Sequence, residues 1–108
     1  MDNILFGLFV FLILLAGVGI FYYQKMLSIL KVNHIEKWNS LGSPTILKNN
    51  SINNQKLIMA FLNKKEYLSS NDPKLISLAN FLRIYHKIYI AIFIFIFSVF
   101  LILILRSN

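Results

Sequence analysis

The 108-residue sequence contains no cysteine. This excludes disulfides, thiolate chemistry and most structural zinc sites, each of which needs Cys at defined spacings. Acidic residues are almost as scarce: Asp2, Glu36, Glu66 and Asp72 are the full set. The three in the middle of the chain are too scattered to form the paired carboxylates of glycoside hydrolysis or an oxygen cage for a hard cation. His34 and Glu36 spell H-x-E, but the zinc deaminases that use this pair also need a P-C-x-x-C segment, so the pair is assigned to the surface. His86 precedes Lys87 at the expected headgroup level, where an imidazole needs no metal. There is no phosphate-binding glycine loop and no nucleophile motif. The expectation is a non-enzymatic protein with no catalytic residue, cofactor, metal or small-molecule substrate.

What the sequence has in abundance is apolar surface. Hydrophobic residues make up 57% and mean hydropathy is +0.67, too apolar for a water-soluble fold of this size, which has too much surface to hide so many large side chains. Most of the ten Phe lie in the two end segments. Residues 4–21 read ILFGLFVFLILLAGVGIF without a charge, and at about 1.5 Å per residue a helix of this length nearly covers the roughly 30 Å hydrocarbon core. Tyr22, Tyr23 and Lys25 follow and are expected to anchor the span at the membrane surface, rings among headgroups and ammonium in water. A cleaved signal peptide is disfavoured, because Asp2 stands where a positive n-region is needed and the apolar run is too long.

The second run, residues 88–105, reads IYIAIFIFIFSVFLILIL. Tyr85 and Lys87 before it and Arg106 after it are the matching interface anchors. Its Ile and Phe alternation imitates a strand, but an isolated strand in lipid leaves its backbone groups unpaired at several kcal/mol each, so a helix is expected. Neither run contains an ionisable side chain, which argues against an ion path or proton relay. Ala16 and Gly19, with Ser98 opposite, are candidates for close helix approach.

Between the runs lie ten Lys and Arg against Glu36, Glu66 and Asp72, whereas Arg106 is the one basic side chain outside them. The positive-inside rule then places the middle segment in the cytoplasm and both termini outside. Formal charge of +7 is thereby assigned to topology and to anionic lipid on the cytoplasmic face, with no nucleic acid partner. The N-x-S triplet at Asn49, Asn50 and Ser51 is chemically silent on that side.

The fold expected is an all-α membrane protein, two transmembrane helices (4–24 and 88–105) forming a hairpin around a basic cytoplasmic helical segment (25–87), with short external tails at 1–3 and 106–108. Leu27, Leu30, Ile35, Trp38 and Leu41 recur at helical spacing, predicting a helix over about 25–41, stopped by Gly42, Ser43 and Pro44. A second is predicted over 51–68, with Leu57, Ile58, Phe61 and Leu62 on one side. Asp72 and Pro73 form a helix start, the carboxylate capping free amides and the proline filling a position where no amide is missed. Leu75, Leu78, Ala79, Leu82 and Tyr85 then make a stripe that continues unbroken into the second span. The stripes either pack on one another as a small cap or dock an unknown membrane protein or a second copy of the chain. Trp38, Asn53, Gln55, Leu57, Phe61, Tyr67, Asp72 and Arg83 are the candidate residues of that packing or partner surface.

Residues 53–83, NNQKLIMAFLNKKEYLSSNDPKLISLANFLR, together with the two-span layout, bear a distant resemblance to the universal stress protein B family of small bacterial inner-membrane proteins. Asn53, Gln55, Tyr67, Asp72, Ile76 and Arg83 carry it. Pro73, where the family tends to be acidic, and a shortage of arginines and aromatics in this stretch depart from it. The resemblance implies an inner-membrane protein of general or stationary-phase stress response, with no mechanism attached. The alternatives of other classes are an accessory subunit stabilising a larger membrane complex and a holin-like or toxin-like lesion former, the latter disfavoured because neither span has a polar lining.

Overall fold

The computed structural model describes residues 2–45 and 47–107 of the chain. Residues 1 and 108 of the expected tails, and Ile46, lie outside the described residues. The architecture is all-helical: α1 (Asp2–Asn33), α2 (Ile35–Ser40), α3 (Ile52–Asn63), a 3₁₀ turn (Glu66–Ser70) and α4 (Pro73–Ser107), with no strand among the described residues. Helices α1 and α4 are both long and apolar enough to cross a membrane, with mean hydropathies of 2.9 and 3.2 over their most apolar stretches.

The two long helices lie side by side with opposite chain directions. Phe9 meets Phe100 edge-on at 5.9 Å, and Tyr22 meets Phe81 at 5.0 Å, so positions that advance along α1 retreat along α4. At one end of this pair the remaining elements gather into a head. Met26, Leu27 and Leu30 of α1, Leu41, then Ile58, Phe61 and Leu62 of α3, Tyr67, and Leu75, Ala79 and Leu82 of α4 form one buried cluster. Burial falls away abruptly beyond it: only 6% of the most apolar stretch of each long helix is buried. Phe6, Ile13, Leu14, Ile94, Phe95 and Leu105 stand open. A core helix of a water-soluble protein is covered by its own fold. These two are apolar almost all round and covered by little besides each other, the pattern of a segment whose solvent is not water.

Local chemistry explains most of the head's boundaries. Asp72 accepts hydrogen bonds from the amides of Lys74 (3.1 Å) and Leu75 (3.3 Å) on one carboxylate oxygen, and Pro73 opens α4 behind it. Ser51 caps α3 by accepting from the Asn54 amide at 3.2 Å. Gly42 has φ +95°, and a Cβ there would collide with the Asn54 side chain. That amide group instead reaches the Asn49 carbonyl at 3.1 Å, closing the loop onto α3.

Two predicted helices end elsewhere. The helix expected over 25–41 is broken at His34 (φ −139°, ψ 57°), so that α1 stops at Asn33 and α2 turns away as a separate short piece. Val32, Asn33, His34 and Ile35 are all weak helix formers, and the bend carries Trp38 and Leu41 back onto the cluster. The helix expected over 51–68 ends at Asn63, because Lys65 is left-handed (φ 56°) and Glu66–Ser70 wind as a 3₁₀ turn closed by left-handed Asn71 (φ 57°). Putting Tyr67 at the centre of the core requires that tightening.

Candidate functional site

The candidate residues separate into three environments. Phe61 and Tyr67 are interior, at 1% and 0% exposure, with rings edge-on at 5.7 Å. The Tyr67 hydroxyl donates to Asn80 Oδ1 and accepts from Arg83 Nε at 3.3 Å, bolting the 3₁₀ turn to α4 at two points nearly one helical turn apart. Trp38 is half-buried against the cluster and donates Nε1–H to the Pro44 carbonyl at 3.0 Å. These side chains hold the head together. Asn53, Gln55 and Leu57 are exposed, with Gln55 donating to Asn50 Oδ1 at 3.3 Å.

Asp72 does more than cap α4. Its second oxygen lies 2.8 Å from His34 Nε2, which therefore donates to it. The H-x-E pair is expected at the surface, and Glu36 is exposed, but His34 is half-buried and its ring is engaged by a residue 38 positions away. The hydrogen bond from His34 is the main cause holding the Asp72 carboxyl below its ordinary 3.8; partial desolvation pushes the other way, and the Leu75 and Lys74 amides add to the lowering. Nearby, Lys37 Nζ meets Glu66 Oε1 at 2.5 Å. Two polar contacts thus tie the α1–α2 bend and α2 to the segment leading into α4. No group of three or more His, Asp or Glu able to hold a metal exists among the described residues.

The expected anchors Tyr22, Tyr23, Lys25, Tyr85 and Lys87 lie where the head meets the long helices, whereas Arg106 stands at the far end of α4. Lys25 is exposed, with Nζ 4.7 Å from the Phe21 ring and 5.6 Å from that of Tyr22. Lys87 and Arg106 are exposed. Tyr85 is not turned outward: its hydroxyl donates to the Leu15 carbonyl at 2.5 Å, and its ring would lie 3.0 Å from a Cβ at Gly19. Tyr89 does the same to the Leu12 carbonyl at 3.4 Å. The close approach at Gly19 is therefore made by a tyrosine ring, whereas Ser98 is exposed and bonds the Ile94 carbonyl of its own helix at 2.8 Å. Inter-helix hydrogen bonds from tyrosines to carbonyls already engaged in a helix leave no trace in a hydropathy pattern, and the sequence reading missed them for that reason.

Several clefts open on this junction, and two of them reach α3 or the loop after α2. One, of about 300 Å³, lies between the long helices and α3 and is walled mainly by apolar atoms, with Tyr23, Gln55, Tyr85 and His86 among its residues. The Tyr23 hydroxyl is the one buried side-chain polar atom without a hydrogen-bond partner among the described residues. The other, of about 440 Å³, lies between α1, Trp38 and the loop after α2, and includes Lys31 and Lys48. The first offers an apolar packing surface and the second a groove flanked by two lysines. No protein-family model, curated protein or solved structure matches the chain.

Proposed function

We propose that the chain is a non-enzymatic protein of the bacterial inner membrane, a two-span helical hairpin whose basic head faces the cytoplasm and whose termini lie outside, acting in general or stationary-phase stress response through contacts of the head with protein or anionic lipid. The observation that carries the membrane reading is the division of burial: a closed core confined to the lysine-rich end, and two long helices left bare over their most apolar stretches. The orientation is supported by the placement of ten of the eleven Lys and Arg between the two apolar runs, as the positive-inside rule reads it. The stress assignment rests on the resemblance carried by Asn53, Gln55, Tyr67, Asp72, Ile76 and Arg83.

The absence of native cysteine makes topology directly measurable. Single replacements at Asn3, Ser69 and Ser107 are probed with a membrane-impermeant maleimide on intact spheroplasts and on inverted vesicles. Labelling of Asn3→Cys and Ser107→Cys from outside, and of Ser69→Cys from the cytoplasmic side alone, is expected; the reverse pattern sinks the orientation. A deletion strain that survives starvation, solvent and oxidant as well as its parent refutes the stress assignment.

A second reading, an accessory subunit of a larger membrane complex, is favoured by the outward row on α3, where Ile52 and Leu57 are 76% and 44% exposed beside Asn53. Purification from native membranes in mild detergent separates the two, since an accessory subunit brings a stoichiometric partner with it.

A further inference from the structure

The groove between α1 and the loop after α2 combines features the rest of the head lacks. Gln24, Ser28 and Lys31 follow one another along the outer face of α1 just past Tyr22 and Tyr23, the Trp38 ring forms a wall, and Lys48 closes the far side. Lys31 Nζ lies 5.4 Å from the centre of the Trp38 ring. No carboxylate lines the groove, and the side chains of Gln24, Ser28 and Lys48 have no hydrogen-bond or ion-pair partner among the described residues. Leu47, beside Lys48, is 91% exposed, an apolar side chain at the mouth of a groove flanked by two lysines.

Depth along α1 decides what such a groove can meet. Ser28 lies five residues beyond Tyr23, roughly 7 Å at 1.5 Å per residue, and the polar layer on each side of a hydrocarbon core is itself about 5–7 Å thick. The groove floor therefore falls at the level of lipid phosphates if the tyrosines mark the hydrocarbon boundary. At that depth two ammonium groups with no carboxylate between them attract anionic headgroups, unpaired amide and hydroxyl donors suit phosphate and glycerol oxygens, and an exposed leucine suits the adjoining acyl layer.

We propose that this groove binds the headgroup of an anionic phospholipid, its phosphate between Lys31 and Lys48 and its glycerol oxygens toward Ser28 and Gln24, with Leu47 dipping into the acyl boundary. The inference rests on the membrane reading above and names the site through which the head engages lipid. Trp38 is the single tryptophan of the chain, so the groove carries its own fluorophore.

The test uses the full chain in mild detergent, titrated with short-chain phosphatidylglycerol, with phosphatidylcholine and with inorganic phosphate while Trp38 emission is followed. A saturable shift with phosphatidylglycerol alone is expected. The Lys31→Gln, Lys48→Gln double variant weakens it about 30-fold, from roughly one kilocalorie's worth of attraction per lysine. Lys56→Gln, Lys64→Gln, which removes the same charge from exposed positions elsewhere on the head, leaves it within about threefold. Equal weakening by both pairs means diffuse attraction and overturns the site, as does an equal response to inorganic phosphate or no saturable shift. Flotation with phosphatidylcholine vesicles keeps the two readings apart: a chain that fails to float refutes the membrane assignment, whereas one that floats yet shows no selective shift refutes the groove alone.

Discussion

Replacing Tyr67 by phenylalanine removes a single oxygen from the centre of the head, and the structure fixes what that should do. The side chain is fully buried, its hydroxyl bonded to both Asn80 and Arg83 of α4. A neutral hydrogen bond contributes about 0.5–1.5 kcal/mol net and one to a charged group about 1.5–3. Asn80 and Arg83 are half-buried and can partly recover water, so the combined loss is set at about 1–2 kcal/mol. Tyr67→Ala removes the ring as well, losing the edge contact with Phe61 and opening a cavity, for about 3–5 kcal/mol. Amide exchange in micelles reads these values locally, because opening of the head exposes residues 58–62 of α3 without requiring the long helices to separate. Protection there should fall about 5- to 30-fold for the phenylalanine variant and by a further factor of at least about five for alanine, up to the opening free energy of the head itself. Unchanged protection in Tyr67→Phe, or equal losses in both variants, would refute the claim that this hydroxyl bolts the 3₁₀ turn to α4.

Other outcomes follow from individual contacts. Gly42→Ala forces a side chain into a left-handed backbone position and into Asn54, and should destabilise the head by about 1–3 kcal/mol; added Asn54→Ala should recover part of the loss in the same exchange experiment. The Asp72 carboxyl is held below 3.8, so its contribution is complete above that value and is lost as pH falls through the lower folded one. Thermal melting between pH 6 and pH 2.5 should show an acid limb that Asp72→Asn flattens, and an identical limb in that variant would count against the His34 contact. Tyr85→Phe and Tyr89→Phe each delete one inter-helix bond, for about 0.6 kcal/mol apiece by the average for such bonds in membranes; a double variant with unchanged cross-linking between cysteines replacing Phe9 and Phe100, which face each other across the pair, would show these bonds to be dispensable.

The Tyr67 case also marks the limit of what periodicity reveals. Ile58, Phe61, Leu62, Leu75, Ala79 and Leu82 were readable as apolar stripes, since a 3.6-residue repeat reports which face of a helix is buried. Tyr67 lies in no such repeat, because its segment is a 3₁₀ turn bracketed by two left-handed residues. Nothing in the order of its neighbours announces that it will occupy the core. His34 is a similar case: H-x-E invites a metal reading, and the partner that engages the imidazole lies 38 residues on. Lys37 and Glu66 likewise meet only because α2 folds back.

By itself the sequence determined the all-helical class, the two long apolar segments, the lysine-rich middle and the start of α4 at Asp72 and Pro73. These depend on solvent preference and on hydrogen bonding within a few residues, and both are properties of short stretches of chain. Tertiary structure alone decided that α1 breaks at His34, that Tyr67 becomes the hub, that Tyr85 and Tyr89 turn inward onto α1, and that Lys31, Trp38 and Lys48 share one groove. Each of those is a meeting of residues distant in sequence, set by how the elements pack.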